Sequence, residues 1–140
     1  MEHMKAPQFS PGFQLAYRDE GRGTPILLIH GWGVSGALFS EQINGMADRY
    51  RVVVPDLPGH GGSGVFPDKA PFSALADGIA GLVSELALEE CVLVGWSMGA
   101  MVAWDLLLRH GDLDVLGLVT IDMVPRLLNG PGWSHGLRDG

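Results

Sequence analysis

The chain has 140 residues, which is enough for one domain built around a single hydrophobic core. With 46% hydrophobic and 18% charged residues, the composition excludes an intrinsically disordered chain. The net charge is −7 and basic residues do not cluster, which excludes a nucleic-acid-binding surface and argues against binding to anionic membranes. Cys91 is the only cysteine, so no internal disulfide can form.

The amino terminus, Met1 to Lys5, lacks the apolar segment of a signal peptide. No apolar run elsewhere reaches the length needed to cross a bilayer. We therefore expect a cytoplasmic protein with no membrane partner.

The first half of the chain predicts three strands and one helix. Apolar and polar residues alternate over 13–18, which predicts a half-buried strand near a sheet edge. Continuous apolar runs predict strands covered on both faces at Pro25–Ile29 and Arg51–Pro55. Between these two strands, Ser35 is predicted to cap a weak helical stripe that ends near Ala47.

The second half begins with a loop over 56–71, whose glycines and prolines forbid regular structure. Ser73 is predicted to cap the next helix. A strand from Cys91 to Val94 follows, and then a helix over Met98–Arg109. Apolar residues lie nearly all round that helix, so we expect it to be substantially buried. The last predicted strand is Val115–Ile121.

Alternation of apolar strands with helices predicts an α/β fold, with a mostly parallel, doubly wound sheet and helices on both faces. We expect the core over about 13–122, with 123–140 as a tail or the start of a cap region. Active sites in such sheets gather at the carboxyl ends of the strands. Glycine-rich motifs follow Ile29, Pro55 and Val94, and all three therefore fall at that edge.

The segment Gly95-Trp96-Ser97-Met98-Gly99 fits the pattern G-x-S-x-G between a strand and a helix. The turn is so sharp that only very small residues fit at Gly95 and Gly99. Ser97 would be held in a strained conformation with its hydroxyl projecting from the sheet, beside the positive end of the helix dipole. We predict that Ser97 is a nucleophile; the alternative is an ordinary strand-to-helix turn.

His30-Gly31-Trp32-Gly33 ends the strand that we expect beside the Ser97 strand. The backbone N–H groups of Trp32 and Met98 are predicted to converge as an oxyanion hole. Gly31 and Gly33 would permit the turn. In the alternative reading these glycines serve only a tight turn, and the two readings are compatible.

Other polar and aromatic residues near these motifs have structural interpretations as well. His30 ends a buried strand and is predicted to be a satisfied structural histidine. His60 is predicted to orient its loop, and Asp56 to brace its turn. Trp32 and Trp96 are candidates for lining an apolar acyl pocket, with core packing as the alternative for Trp96.

From about Phe13 to Asp122, the chain resembles the α/β-hydrolase superfamily. The branch it most resembles contains pimeloyl-carrier-protein methyl esterases and cofactor-free haloperoxidase-like esterases. The resemblance implies a serine hydrolase that acts on small carboxylic esters through an acyl-enzyme on Ser97, with no metal or organic cofactor. It rests on three motifs in order: His30-Gly31-Trp32-Gly33, Asp56-Leu57-Pro58-Gly59-His60-Gly61-Gly62-Ser63 and Gly95-Trp96-Ser97-Met98-Gly99.

The family's catalytic triad follows the chain order Ser, acid, His. We expect a truncated fold here, with the last strands and the catalytic histidine missing, so that the chain alone is nearly inactive. Asp122 is a possible acid. His110 would lie about 20 Å from Ser97 along a helix and is excluded. A triad of Ser97, His135 and Asp122 is the remaining alternative.

The rival interpretation is a non-catalytic protein that acts as a binding or self-associating module. In the truncated sheet, Val115–Ile121 would be an unpaired apolar edge, and such an edge is a template for another chain. We therefore predict self-association through this strand. The resemblance does not choose between ester hydrolysis and perhydrolysis, lactone cleavage or carbon–carbon bond hydrolysis.

Overall fold

The computed structural model describes residues 8–9 and 13–139. Helices and strands alternate along the chain after a strand-rich amino-terminal segment. The strands are β1 (Gln8–Phe9), β2 (Phe13–Gln14), β3 (Tyr17–Glu20), β4 (Pro25–Ile29), β5 (Arg51–Pro55), β6 (Cys91–Trp96), β7 (Val115–Ile121), β8 (Leu128–Asn129) and β9 (Arg138–Asp139). The helices are a 3₁₀ helix (Gly36–Phe39), α1 (Ser40–Met46), α2 (Ser73–Glu85) and α3 (Met98–Arg109).

The central sheet has five strands in the order β3-β5-β4-β6-β7. Strand β3 runs antiparallel to β5, and the β4–β5, β4–β6 and β6–β7 pairs are parallel. The predicted mostly parallel α/β sheet is therefore confirmed. Because β4 and β6 lie in the middle as parallel neighbours, the loop after β4 and the turn after β6 come together at one edge.

Helices cover both faces of the sheet. Leu27 and Val53 belong to the core that includes the buried side chains of α2 and α3. Leu28 packs on the opposite face with Phe39 and Ile43, from the 3₁₀ helix and α1. Successive strand residues thus alternate between two hydrophobic clusters, as expected for strands buried on both faces.

The predicted strand over 13–18 is in fact two short strands. Phe13–Gln14 pairs with β1, and Tyr17–Glu20 forms the antiparallel edge of the main sheet. The strand is interrupted at Ala16. The Ala16 amide donates to the Ser63 hydroxyl at 2.8 Å, and its carbonyl accepts from the Asp56 amide at 2.8 Å. The alternation of apolar residues persists through this interruption, which is why it predicted one strand.

The two predicted helix caps had different outcomes. Ser35 does cap the 3₁₀ helix, since its hydroxyl accepts from the Ala37 amide at 3.4 Å. The prediction for Ser73 was wrong: the N-cap of α2 is Phe72 and no side chain caps it. The carbonyls of Pro71 and Phe72 already accept the first turn's hydrogen bonds, so the turn starts ahead of Ser73.

The expectation that α3 is substantially buried is confirmed for all of it except its carboxyl end. Its buried residues are Gly99, Ala100, Val102, Ala103 and Leu106, whereas Leu108 is 85% exposed. The helix packs on the sheet and on α2, and Leu108 and Arg109 are exposed at its carboxyl end.

At the other end of the sheet, β7 pairs with β6 alone among the described strands. Three of its apolar side chains, Leu116, Val119 and Ile121, are about half exposed. Beyond β7, the glycine-rich segment folds back through the short parallel pair of β8 and β9. Within the described residues, no helix has both the length and the apolar character needed to cross a membrane.

Candidate active site

The turn between β6 and α3 places Ser97 in a strained conformation, with φ 52° and ψ −117°. A Cβ on Gly95 would lie 2.5 Å from the Gly99 carbonyl oxygen, and a Cβ on Gly99 would overlap the carbonyl oxygen of Ile29. The predicted need for glycine at both positions is therefore a matter of space. A non-glycine residue at positive φ is maintained only when its surroundings hold it there.

The backbone of Ser97 is fixed on both sides. Its amide donates to the Ile121 carbonyl at 2.8 Å, and its carbonyl accepts from the Ala100 amide at 3.0 Å. The Ser97 hydroxyl has no hydrogen-bond partner among residues 8–9 and 13–139. This half-buried hydroxyl is thus held in place by the main chain but not engaged.

The loop after β4 lies directly against this turn. A Cβ on Gly31 would come within 3.2 Å of the Ser97 Cβ and within 3.0 Å of the Trp96 ring. In the part of the chain that the structure describes, neither the Trp32 amide nor the Met98 amide donates a hydrogen bond. Two N–H groups without a partner, on elements adjoining one serine, are what the predicted oxyanion hole requires.

His30 is fully buried and structural, as the sequence predicted. Its Nε2 accepts from the Leu57 amide at 2.8 Å, so its proton sits on Nδ1, which donates to the Gly31 carbonyl at 2.7 Å. Burial holds the pKa of His30 below its ordinary value, which keeps the ring neutral. Both nitrogens are occupied, and His30 has no free atom for catalysis.

Asp56 and His60 link the loop after β4 to the loop after β5. The buried Asp56 carboxylate accepts from the Gly36 amide at 2.6 Å and the Gly62 amide at 2.8 Å. His60 Nε2 accepts from the Gly33 amide at 3.2 Å, and its Nδ1 donates to the Pro58 carbonyl at 3.0 Å. The bracing roles predicted for both residues are seen in these contacts.

A cavity of about 780 Å³ opens between these two loops and the first turns of α2 and α3. No charged side chain is among the described residues that line it, and its apolar wall consists of Trp32, Val34, Phe66, Phe72, Leu75 and Met98. Sequence reasoning missed Phe66, Phe72 and Leu75. Leu75 was visible only as part of the helical stripe of α2, and nothing in the sequence pointed Phe66 or Phe72 toward the site.

The two candidate pocket tryptophans lie in different surroundings. Trp32 is 77% exposed, lines the cavity and contacts the His60 ring edge-on at 5.4 Å. Trp96 packs against the cluster of Leu28 and Val54 on the α1 face of the sheet. Trp96 is not among the residues that line the cavity.

The remaining candidates for a triad are not joined to Ser97. Asp122 is exposed at the end of β7, one residue beyond the carbonyl that accepts from the Ser97 amide. His110 is paired with Asp77 at 2.9 Å, and the ring of His135 contacts that of Trp133 at 5.4 Å. Among the described residues, no group of three or more His, Cys, Asp and Glu side chains is arranged to hold a metal ion.

The family model for the alpha/beta hydrolase fold matches residues 24–139. The chain belongs to the α/β-hydrolase family. The matched range contains all three glycine-rich motifs of this α/β-hydrolase, including the strained turn at Ser97.

Curated relatives of this α/β-hydrolase include two named enzymes. It is 39% identical over 113 residues to the pimeloyl-[acyl-carrier protein] methyl ester esterase of Methylococcus capsulatus, covering 81% of this chain and 42% of the relative. It is 31% identical over 118 residues to the non-heme chloroperoxidase CPO-A1 of Kitasatospora aureofaciens, covering 84% of this chain and 43% of the relative. The chain thus spans less than half the length of these relatives.

Solved structures agree with this assignment. An esterase from Exiguobacterium antarcticum superposes with a TM-score of 0.87 at 27% identity, covering 96% of this α/β-hydrolase chain and 51% of the esterase. A thermophilic esterase from Thermogutta terrifontis gives 0.78 at 35% identity, covering 91% of this chain and 47% of that one.

Proposed function

We propose that this α/β-hydrolase chain carries the nucleophile and oxyanion hole of a serine esterase. The observation that supports this best is the arrangement at Ser97, whose main chain has φ 52°. Among the described residues, its hydroxyl has no hydrogen-bond partner, and the amides of Trp32 and Met98 on the adjoining elements donate no hydrogen bond. Several of the curated relatives and solved structures are esterases, which favours a carboxylic ester as substrate.

In the proposed reaction, Ser97 Oγ attacks the ester carbonyl carbon while a general-base histidine takes the hydroxyl proton. The Trp32 and Met98 amides donate to the developing oxyanion, each contributing about 3 kcal/mol. The C–O bond to the alcohol then breaks, and the histidine returns the proton to the leaving oxygen. Water attacks the acyl-enzyme, releases the carboxylic acid and restores Ser97.

The general base is proposed to be a histidine outside the described residues. His30 and His60 have both ring nitrogens engaged, and neither His110 nor His135 hydrogen-bonds Ser97. We propose Asp122 as the acid that orients this base. Asp122 follows Ile121, whose carbonyl accepts from the Ser97 amide. Asp122 therefore lies at the same end of the sheet as the nucleophile.

The acyl group is proposed to be neutral and apolar where it enters the cavity. The wall formed by Trp32, Phe66, Phe72 and Met98 offers apolar surface and no charge. One relative is named as an esterase of pimeloyl-[acyl-carrier protein] methyl ester. Such an ester is compatible with this wall, because esterification removes the charge of the carboxylate.

A fluorophosphonate probe tests the nucleophile directly. A general base contributes about 10²–10⁴-fold to such reactions, so we expect the 140-residue protein to be labelled slowly and added imidazole to accelerate labelling by about tenfold or more. Labelling is quantified by in-gel fluorescence and the modified residue is identified by peptide mass spectrometry. Ser97→Ala should abolish labelling with and without imidazole.

Ser134→Ala is the matched control, because it removes an exposed hydroxyl from the segment beyond β7. It should be labelled like the parent. If folded parent protein takes up no probe at any imidazole concentration, or if Ser97→Ala is labelled as fast as the parent, the proposed function is wrong.

A second candidate function, self-association through β7, is favoured by a different observation. The strand pairs on one side only among the described residues, and Leu116, Val119 and Ile121 are half exposed along it. An exposed apolar edge strand is a template for pairing with another chain, and the register shift in β7 is confined to its start, opposite Cys91 and Val92. We propose that two copies pair through Val115–Ile121, with or without catalysis at Ser97.

Val119→Lys tests this pairing, since a lysine on an edge strand opposes strand addition. We expect the parent to elute from size exclusion with light scattering as a concentration-dependent dimer or larger species, and Val119→Lys to shift toward the monomer. Leu108→Lys, which adds the same charge at an exposed apolar position of α3, should associate like the parent. A parent that is monomeric at every concentration contradicts the proposal.

A further inference from the structure

Three side chains hold the loop that carries the Trp32 amide. One is His30, at the start of that loop, and the other two, Asp56 and His60, belong to the loop after β5. Three hydrogen bonds join the two loops, one at each end of residues 30–36 and one in the middle. His30 accepts from Leu57, and Asp56 accepts from Gly36. Both of these side chains are buried. The middle bond, between the Gly33 amide and His60, lies next to Trp32 and is the exposed one of the three.

The His60 ring is aimed at Gly33 by its own loop. The backbone amide of His60 donates to the Leu57 carbonyl at 2.9 Å, and its backbone carbonyl accepts from the Ser63 amide at 3.1 Å. On either side, Gly59 and Gly61 have φ of 78° and 51°, a conformation that L side chains rarely adopt. The loop is therefore a tight structure that presents one imidazole.

Only neutral imidazole can make this bridge. Nδ1 carries the proton that is donated to the Pro58 carbonyl, and Nε2 must keep its lone pair to accept from the Gly33 amide. A second proton on the ring would turn Nε2 into a donor facing another donor. Histidine is the side chain whose charge ordinarily changes between about pH 5 and 8.

From these contacts we propose that His60 is a positioning residue for the oxyanion hole: its neutral ring holds Gly33, and through Gly33 the adjacent Trp32 amide, toward Ser97. This inference rests on the proposed function for its catalytic meaning, but the bridge itself exists without catalysis. A ring with protons on both nitrogens could not accept from the Gly33 amide, and the Trp32 amide would lose this support.

Two ionisable side chains, His30 and Asp56, lie near the His60 ring. The ring of His30 lies 5.2 Å away and is kept neutral by burial, which lowers its pKa. The nearby carboxylate is that of Asp56, which accepts from the Gly36 and Gly62 amides. The residues that α2 and α3 contribute to the cavity wall, Phe72, Leu75 and Met98, carry no titratable group.

The test is nuclear magnetic resonance of the 140-residue protein, labelled with ¹⁵N. In a pH series, we expect the Gly33 and Trp32 amide signals to change together with the His60 ring signals. If the Gly33 signal does not follow the His60 ring, the proposal is overturned. This measurement needs no variant and no activity.

Two variants separate positioning from a merely structural role. His60→Ala removes the acceptor, so Gly33 amide exchange at pH 7.5 should become about tenfold faster, the loss expected for one hydrogen bond. His60→Gln keeps an acceptor oxygen but does not titrate, so it should restore protection and abolish the pH-dependent shift. His135→Gln, which removes an exposed imidazole elsewhere, should leave both readouts unchanged.

Equal Gly33 exchange in the parent and in His60→Ala, or failure of His60→Gln to restore protection, overturns the role of His60. Thermal unfolding of each variant confirms that it is folded. The amide measurements decide the role of His60 whether or not Ser97 reacts. A fluorophosphonate that fails to label the same sample counts against the proposed function alone.

Discussion

Gly99→Ala is expected to destabilise the protein by about 3 kcal/mol, at the upper end of what an overpacked core residue costs. The added methyl would overlap the Ile29 carbonyl oxygen and lie 2.7 Å from that of His30. Both obstacles are backbone atoms of the central strand and its exit, which cannot rotate aside. Helix α3 would have to move off β4, and the turn at Ser97 would move with it.

Urea unfolding followed by far-ultraviolet circular dichroism measures this loss. A total stability of about 5–15 kcal/mol makes such a change a large fraction of the whole. Gly45→Ala is the matched control, because Gly45 lies in α1 and nothing is within 4 Å of its added Cβ. It should raise stability by about 0.5–1 kcal/mol. Equal stabilities for the two variants would contradict the packing described around Gly99.

Asp56→Ala is the second substitution with a large expected effect, again about 3 kcal/mol or more of lost stability. Its carboxylate is buried and accepts from two amides, those of Gly36 and Gly62. Removing it leaves both donors without a partner, and hydrogen bonds to a charged group are worth about 1.5–3 kcal/mol each. Asp56→Asn keeps one acceptor oxygen and should show roughly half of the loss.

Asp48→Ala provides the comparison for a carboxylate outside such a network. Its side chain is 73% exposed and approaches only Arg49, at 3.5 Å, so its loss should change stability by less than about 0.5 kcal/mol. The measurement is the same urea titration, at a protein concentration low enough to keep association constant. A wild-type-like Asp56→Ala would show that the two loops do not depend on this carboxylate.

The parallel strands were predictable because each is a nearly continuous run of apolar residues. Pro25–Ile29, Arg51–Pro55 and Val115–Ile121 have the predicted bounds, since a run of apolar residues ends where the chain leaves the sheet. Strand β6 extends two residues beyond its predicted end, through Gly95 and Trp96. Glycine in the sequence indicates a turn, but here it permits close packing within a strand.

The candidate site was predictable to the extent that it consists of local backbone geometry. The turn at Ser97 depends on the spacing of Gly95 and Gly99, which the sequence shows directly. The cavity wall was not predictable, because Phe66 and Phe72 reach it only through the path of the loop over 56–71. That path is determined by long-range contacts such as that of the Gly64 amide with the Gln14 carbonyl, at 2.8 Å.

Helical periodicity predicted the burial of most of α3 but not the exposure of each residue on it. Met98–Arg109 has the predicted bounds, but its apolar residues do not show which faces find a partner. Leu108 is exposed, although α3 packs on the sheet and on α2. Periodicity predicts the helix, and tertiary packing determines what it covers.

The three hydrogen bonds between the loops after β4 and β5 also determine when the conformational entropy of the loop that carries the Trp32 amide is lost, on folding or during the proposed reaction. Ordering one backbone residue costs about 1–2 kcal/mol of conformational free energy. A loose loop would incur that cost each time charge developed on a bound ester. Here the loop is ordered when the chain folds, because His30, Asp56 and His60 hold it without any ligand. The amide dipoles are therefore preorganised, and little solvent or backbone rearrangement would accompany the proposed chemical step.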